Sequence, residues 1–163
     1  MTRLGPDPDR TPALVVGIGN AYRGDDAVGL AVAERIRCAA PPGVEVREEQ
    51  GEPVSLIDAW AHVRVVYLVD AVSSGGEPGR VCRFDASTRA LSARFSRRGT
   101  HAFGVADTVE LARALGCLPP RVIGYGIEGR SFAAGASLSP EVRRAAGIVC
   151  ARLLEELSPA GSR

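Results

Sequence analysis

Two hydrophobic rhythms alternate along this chain. Near-continuous apolar runs recur at 13–18 (ALVVGI), 64–69 (RVVYLV) and 121–127 (RVIGYGI). Runs of that length, rich in β-branched residues and bounded by turn formers, predict strands buried on both faces. Between them the apolar spacing lengthens to that of a helix. Val28, Val32 and Ile36 mark one face of a helix over 26–38, which Pro41-Pro42-Gly43 ends. Residues 44–47 alternate apolar and charged, the pattern of an outer strand. Gly51-Glu52-Pro53 opens a second helix through Trp60, itself a core residue. The Ser- and Gly-rich stretch 73–79 predicts a loop, and 80–84 a strand. The Arg-rich stretch 85–98 is weakly periodic and predicts no element. Thr100 can cap a third helix over 101–115, with Phe103, Val109, Ala112 and Leu115 inward and Gly116 as its stop. Residues 129–137 read as a loop. Ser139-Pro140-Glu141 is a helix start: a cap, a proline at the first position and an acid in the first turn. Val142, Val149, Leu153 and Leu157 give that last helix its stripe, and Ser158-Pro159 ends it.

Strands alternating with helices, with no internal repeat, predict an α/β three-layer sandwich: a mostly parallel twisted sheet of about five strands flanked by helices. The expected organisation is a polar lead-in over 1–12, a single domain over 13–157 and a tail over 158–163.

Composition narrows the function classes. The 163 residues are 45% hydrophobic and 24% charged, with a net charge of +1. That balance gives no broad field to attract nucleic acid or an anionic membrane. No apolar stretch approaches bilayer length, and the first residues hold no apolar signal core, so the expected location is cytoplasmic. Cysteines 38, 82, 117 and 150 form no CxxC pair and are expected to be buried, reduced thiols. With two histidines, His62 and His101, any metal site must lean on carboxylates.

In open α/β sheets, ligands gather beyond the carboxyl ends of the strands. Asp25 and Asp26 follow the first strand, Asp70 ends the strand over 64–69, and His101 opens a helix. These positions can converge on one rim, and carboxylates with an imidazole suit a divalent transition ion such as nickel or zinc. A helix N-terminus favours the Asp26 carboxylate but disfavours a cation, so such a site binds metal only moderately tightly alone. Each residue also has a plain structural reading. Asp25 is an N-cap, Asp26 a first-turn acid, Asp70 a turn cap and His101 a helix-start residue. His62 precedes a strand and reads as a surface or packing residue. Arg94, Arg97 and Arg98 read as a solvated face or a dock for an acidic partner surface.

Other motifs fall away. Gly17-Ile18-Gly19 after a strand invites a dinucleotide loop, but the third glycine of that fingerprint is replaced by Tyr22, and two aspartates would repel a pyrophosphate. GIGN also opens peptidyl-tRNA hydrolases, whose histidine-containing continuation is missing here. No HExxH, GxSxG or Walker pattern is present.

The chain resembles the hydrogenase maturation proteases, over about 14–157. The matching segments are GIGNAYRGDDAVG, Val69-Asp70-Ala71, Thr100-His101 followed by Phe103-Gly104-Val105-Ala106-Asp107, and GIEGRSFAAGASLSPEV. The resemblance implies a phosphorylase/hydrolase-like fold. It further implies an endopeptidase that removes the C-terminal extension of a nickel-loaded [NiFe] hydrogenase large-subunit precursor, with nickel supplied by that precursor and no organic cofactor. It carries the metal-contacting roles to Asp26, Asp70 and His101. Asp26 or Asp70 assisting proton transfer are the catalytic candidates, and no nucleophile motif argues for an acyl-enzyme. Gly17, Gly19 and Asn20 then serve to bring Asp26 to the rim, with Asp25 as the helix cap. The chain departs from the pattern at Asp26, where several members carry glutamate, and at Gln50-Gly51-Glu52, where many show Asp-Gly-Gly. A non-catalytic metal-recognition or chaperone module of the same maturation pathway is the alternative. A metallohydrolase of small molecules is a third reading.

Overall fold

A computed structural model describes residues 11–90 and 104–158. Strands β1 (Thr11–Ile18), β2 (Val44–Glu49), β3 (Val63–Val72), β4 (Val81–Asp85) and β5 (Arg121–Glu128) form one sheet in the order β2-β1-β3-β5-β4. All neighbours run parallel except β4, which pairs antiparallel with β5. Helices α1 (Val28–Ala39), α2 (Pro53–Trp60), α3 (Val105–Ala114) and α4 (Pro140–Leu157) cover the sheet. The expected mostly parallel sheet of five strands flanked by helices is the fold observed.

Strand side chains alternate between two cores. Val15 of β1, Tyr67 and Val69 of β3, and Ile123, Tyr125 and Ile127 of β5 pack with α1 and α4 through Val28, Val32, Ile36, Val142, Val149 and Leu153. Leu14, Val16, Val66, Leu68 and Val122 face the other way, onto Leu56 and Trp60 of α2 and Val109 and Ala112 of α3. A strand buried on both faces has no polar side to show, and that is why these segments read as continuous apolar runs. The charged alternation of β2 has the complementary cause: it is a sheet edge.

Several local expectations need correction. The first helical segment opens as a 3-10 turn, Gly24–Ala27, before α1 begins at Val28. β1 begins at Thr11, and β3 runs through Asp70 to Val72. α3 begins at Val105, not 101. Gly104 is its N-cap, and the Asp107 carboxylate accepts from the Gly104 N–H at 3.0 Å. Thr100 and Phe103, expected to cap and pack that helix, lie outside the described residues, as do Arg94, Arg97 and Arg98 and residues 1–10 of the expected lead-in over 1–12, whose last two residues belong to β1. Leu115 is 65% exposed, because α3 ends at Ala114 and the chain turns away through Gly116 at φ 71°. All four cysteines are free thiols, but Cys150 alone is buried, while Cys38 and Cys117 are exposed. Cys38 falls two positions after the inward Ile36, about 200° around the helix, and so faces solvent.

Candidate active site at the carboxyl rim of the sheet

The strand order reverses between β1 and β3: β2 lies on one side of β1, and β3 with all later strands on the other. In parallel sheets the connections then leave in opposite directions, opening a crevice at the carboxyl ends of the two strands. The buried acids among the described residues, Asp25, Asp26, Asp70 and Glu128, all lie at the carboxyl ends of β1, β3 and β5 or in the turn just beyond. Ordinary sequences leave acids exposed, so four together at one rim mark it as the chemical end of the molecule.

Glycines let the crevice close tightly enough to seat Asp26. Gly17 is aligned with Val69, so Asp70 stands one residue further along, level with the end of β1. α1 begins directly over this point: a Cβ on Gly29 would lie 2.3 Å from the Val69 carbonyl oxygen and 2.4 Å from that of Ile18. Gly19 lets the turn fold back, since a Cβ there would lie 1.8 Å from the Asp26 carbonyl oxygen. The Asn20 N–H then donates to Asp26 Oδ2 at 3.1 Å, and Asn20 Oδ1 accepts from the Tyr22 N–H at 2.9 Å. Gly19 and Asn20 thus fix the Asp26 turn against the end of β1, while a Cβ on Gly17 would lie 2.2 Å from the Gly29 carbonyl oxygen.

Asp70 is buried, on the same strand parity as Val66 and Leu68 and therefore directed to the side of α2 and α3. Burial pushes its carboxyl well above the ordinary range, and a hydrogen bond from the Ala71 backbone offsets this only in part. Asp26 and Asp70 are thus two oxygen donors on either side of the switch point. Among the described residues no group of three or more His, Cys, Asp or Glu side chains is placed to hold an ion. His101 lies outside the described residues, in the stretch between β4 and α3. His62 is exposed at the opposite end of β3, ahead of its first residue.

Asp25 does not cap the helix that follows it; the N-cap of α1 is Ala27, without a side-chain cap. Its carboxylate instead accepts the N–H groups of Arg130 (2.8 Å), Ser131 (3.0 Å) and Ser139 (2.7 Å), and the Ser139 hydroxyl (2.7 Å). Burial works to raise its pKa, but those bonds from Ser139, Ser131 and Arg130 outweigh it and hold the acid below its ordinary value. Ser139 sits at the N-cap of α4 as expected, yet its hydroxyl is spent on Asp25 rather than on its own helix.

Sequence reasoning gave Glu128 no role. At the end of β5 it accepts the Ser74 N–H at 2.8 Å, the Ser74 hydroxyl at 2.7 Å and the Gly75 N–H at 3.1 Å. It thereby fastens the loop after β3, on the flank of Asp70. The available signal was its position: an acid closing an apolar strand, as Asp70 does.

A mostly parallel open α/β sheet with buried carboxylates along the carboxyl ends of its strands is a scaffold of the kind enzymes use. The sequence profile of the hydrogenase maturation proteases matches residues 32–156, a span that includes Asp70 and His101 and begins after Asp26. The hydrogenase expression/formation protein HupD of Bradyrhizobium diazoefficiens is 27% identical over 135 residues, covering 80% of this chain and 69% of its own. A hydrogenase 2 maturation peptidase from Thaumarchaeota archaeon SCGC_AB-539-E09 is 29% identical with a TM-score of 0.68, covering 90% of this chain and 98% of its own. The hydrogenase maturating endopeptidase HybD of Escherichia coli shares the fold at a TM-score of 0.78 and 23% identity, over 92% of this chain and 94% of its own. The chain belongs to the hydrogenase maturation protease family, and is a peptidase. Among the described residues, no helix is long and apolar enough to cross a membrane.

Proposed function

We propose that this peptidase removes the C-terminal extension of a [NiFe] hydrogenase large-subunit precursor that already holds its nickel. The observation that carries the reading is the placement of Asp26 and Asp70 at the β1–β3 switch point of a family member. Nickel belongs to the substrate in this reading. Asp26 and Asp70, with His101 as third ligand, are oxygen and imidazole donors of the kind such an ion accepts. The positive end of α1 at the rim opposes a free cation there, which favours an ion delivered by the precursor over one held in advance. When present, nickel polarises the scissile carbonyl or activates water. This chain's own part is to orient the cut segment against the rim and to move a proton through Asp26 or Asp70. Four unpaired cysteines fit a reducing compartment, and we assign the reaction to the cytoplasm.

The test is to assay processing of nickel-loaded precursor by mass spectrometry, with Asp26→Ala, Asp70→Ala and His101→Ala made singly. Each substitution is expected to slow loss of the C-terminal peptide by about a hundredfold or more. Full activity in all three removes the site assignment. Efficient cutting of nickel-free precursor removes the role of nickel in recognition. A stable complex of unchanged mass supports a binding module instead.

A further inference from the structure

The connection from β3 to β4 has to pass over another strand. β5 lies between the two, parallel to β3 and antiparallel to β4. Residues 73–80 therefore leave β3 at the carboxyl rim, cross the end of β5 and enter β4 from the same rim. Glu128, the last residue of β5, stands beneath this crossing. Its backbone fixes the far foot of the loop: the Gly79 N–H donates to its carbonyl at 2.7 Å, and its own N–H donates to the Arg80 carbonyl at 2.9 Å. Its carboxylate fixes the near foot, through the N–H groups of Ser74 and Gly75 and the Ser74 hydroxyl. Gly76 also passes close by, since a Cβ there would lie 3.5 Å from Glu128 Oε2.

The near foot follows directly on the strand that carries Asp70. Ser74 is two residues beyond the end of β3. Asp70 is aligned with Gly126, so Glu128 stands two residues further along the adjoining strand. Side chains two apart on a strand share a face. Glu128 therefore leaves β5 on the side where Val122 is buried, the side to which Asp70, with Val66 and Leu68, leaves β3. Ser74 and Gly75 are exposed, so water could satisfy their donors without a protein acceptor. A carboxylate only 4% exposed is not needed to satisfy them; what it adds is a fixed position. Just past Glu128 the same segment serves the other acid. The N–H groups of Arg130 and Ser131 bind Asp25, the neighbour of Asp26.

We propose that Glu128 is a positioning residue of the peptidase: it clamps the β3–β4 connection over β5 and so fixes the end of β3, with the Asp70 carboxylate, relative to the Asp26 turn. The inference rests on the processing reaction proposed above. Reacting groups displaced by about 1 Å lose about a hundredfold in rate, so a clamp beside Asp70 acts on turnover without touching the precursor. The bonds themselves supply a discriminating variant. Glu128 Oε1 accepts both N–H groups and Oε2 the hydroxyl. A glutamine amide with its oxygen at the Oε1 place keeps both N–H bonds, and its nitrogen donates to the Ser74 hydroxyl oxygen. Glu128→Gln thus removes the charge and keeps the clamp, whereas Glu128→Ala removes both.

The experiment uses the full chain and nickel-loaded precursor, with Glu128→Ala, Glu128→Gln and Ser74→Ala, and kcat expressed per folded molecule. Glu128→Ala is expected to lower kcat by about tenfold or more with KM within about twofold. Glu128→Gln, and Ser74→Ala, which keeps both N–H bonds, should stay within about threefold of the parent kcat. A parent kcat in Glu128→Ala overturns the assignment, and a reduced folded fraction with parent kcat marks the clamp as structural only. A loss confined to KM overturns it too. So does a Glu128→Gln variant as slow as Glu128→Ala, which would transfer the effect to charge. The amide NMR signals of Asp70 and Ala71 in the isolated protein need no precursor. They should move in Glu128→Ala and hold their places in Glu128→Gln; signals unmoved in Glu128→Ala overturn the assignment. If the unaltered protein leaves the precursor uncut, the processing reading fails, and these signals decide the clamp's hold on Asp70 by themselves.

Discussion

The Asp25 carboxylate takes four donors from a segment 105 to 114 residues further along the chain. Asp25→Ala leaves the part-buried N–H groups of Arg130, Ser131 and Ser139 without their acceptor, and hydrogen bonds to a charged group are the strong ones. The expected cost is about 3 kcal/mol of stability, read by urea denaturation. A loss below about 1 kcal/mol, the range of surface substitutions, would show that the loop holds without its clasp. Asp26, one residue on, has a different partner: its Oδ2 accepts the Asn20 N–H at 3.1 Å. The sequence shows two adjacent acids before a helix, and an N-cap is the local reading of the first. Local chemistry cannot separate them, because what distinguishes Asp25 is a set of partners supplied by the connection between β5 and α4. Glu128 escaped for the same reason. Its partners, Ser74 and Gly75, are 54 and 53 residues away and polar in a way any loop would be. What the sequence does place is Asp26 and Asp70 beyond the carboxyl ends of apolar strands, because a position after such a strand carries meaning on its own.

At the scale of elements, the switch point depends on α1 touching two strands at once. Gly29 is the point of contact, with the carbonyl oxygens of Ile18 and Val69 where its side chain would be. Both obstacles are backbone, so neither can swing aside. Gly29→Ala is therefore expected to destabilise by about 3 kcal/mol, the upper part of the range for overpacking. It should also lower processing beyond what the folded fraction explains, since lifting α1 moves the Asp26 turn. A variant with parent stability and parent turnover would contradict that account of the helix–sheet contact. Strands β1, β3 and β5 were readable from continuous apolar runs, and α1 and α4 from their stripes, because burial on known faces writes itself into residue type. The start of α3 was less so. Thr100 is an attractive cap in isolation, whereas Gly104 gains its role from Asp107 reaching back to its N–H. Leu115 fits the inward stripe by spacing, but the helix ends one residue before it can be used. Periodicity locates faces well and ends poorly.

Across the whole molecule, one polar junction ties the antiparallel edge of the sheet to the last helix. Arg83 on β4 grips Glu156 on α4 through Nε and a terminal nitrogen, each at 2.9 Å, and the Tyr125 hydroxyl on β5 donates to the same carboxylate. Arg121 adds a nearby positive charge. The Arg83 hydrogen bonds hold Glu156 below its ordinary pKa; burial opposes them and the Tyr125 bond assists. Burial and then the Glu156 contact push Tyr125 up to about 12. The signs follow from linkage. A depressed carboxyl contributes stability that is whole above its unfolded value of about 4.3 and is lost as pH falls through the lower folded value. A raised phenol contributes stability that is whole below about pH 10 and is lost as pH climbs through the folded value. Arg83 is partly exposed, which limits the pair to about 1 kcal/mol at neutral pH. Glu156→Gln should therefore fall about that far below the parent protein in urea denaturation at about pH 7, and the gap should narrow as the pH is lowered to about 3. A gap that stays constant across that interval would mean the junction acts through packing of the Glu156 stem rather than through its charge. A gap that widens toward acid would reverse the sign assigned to the carboxyl and remove the ion pair as a tie between β4 and α4.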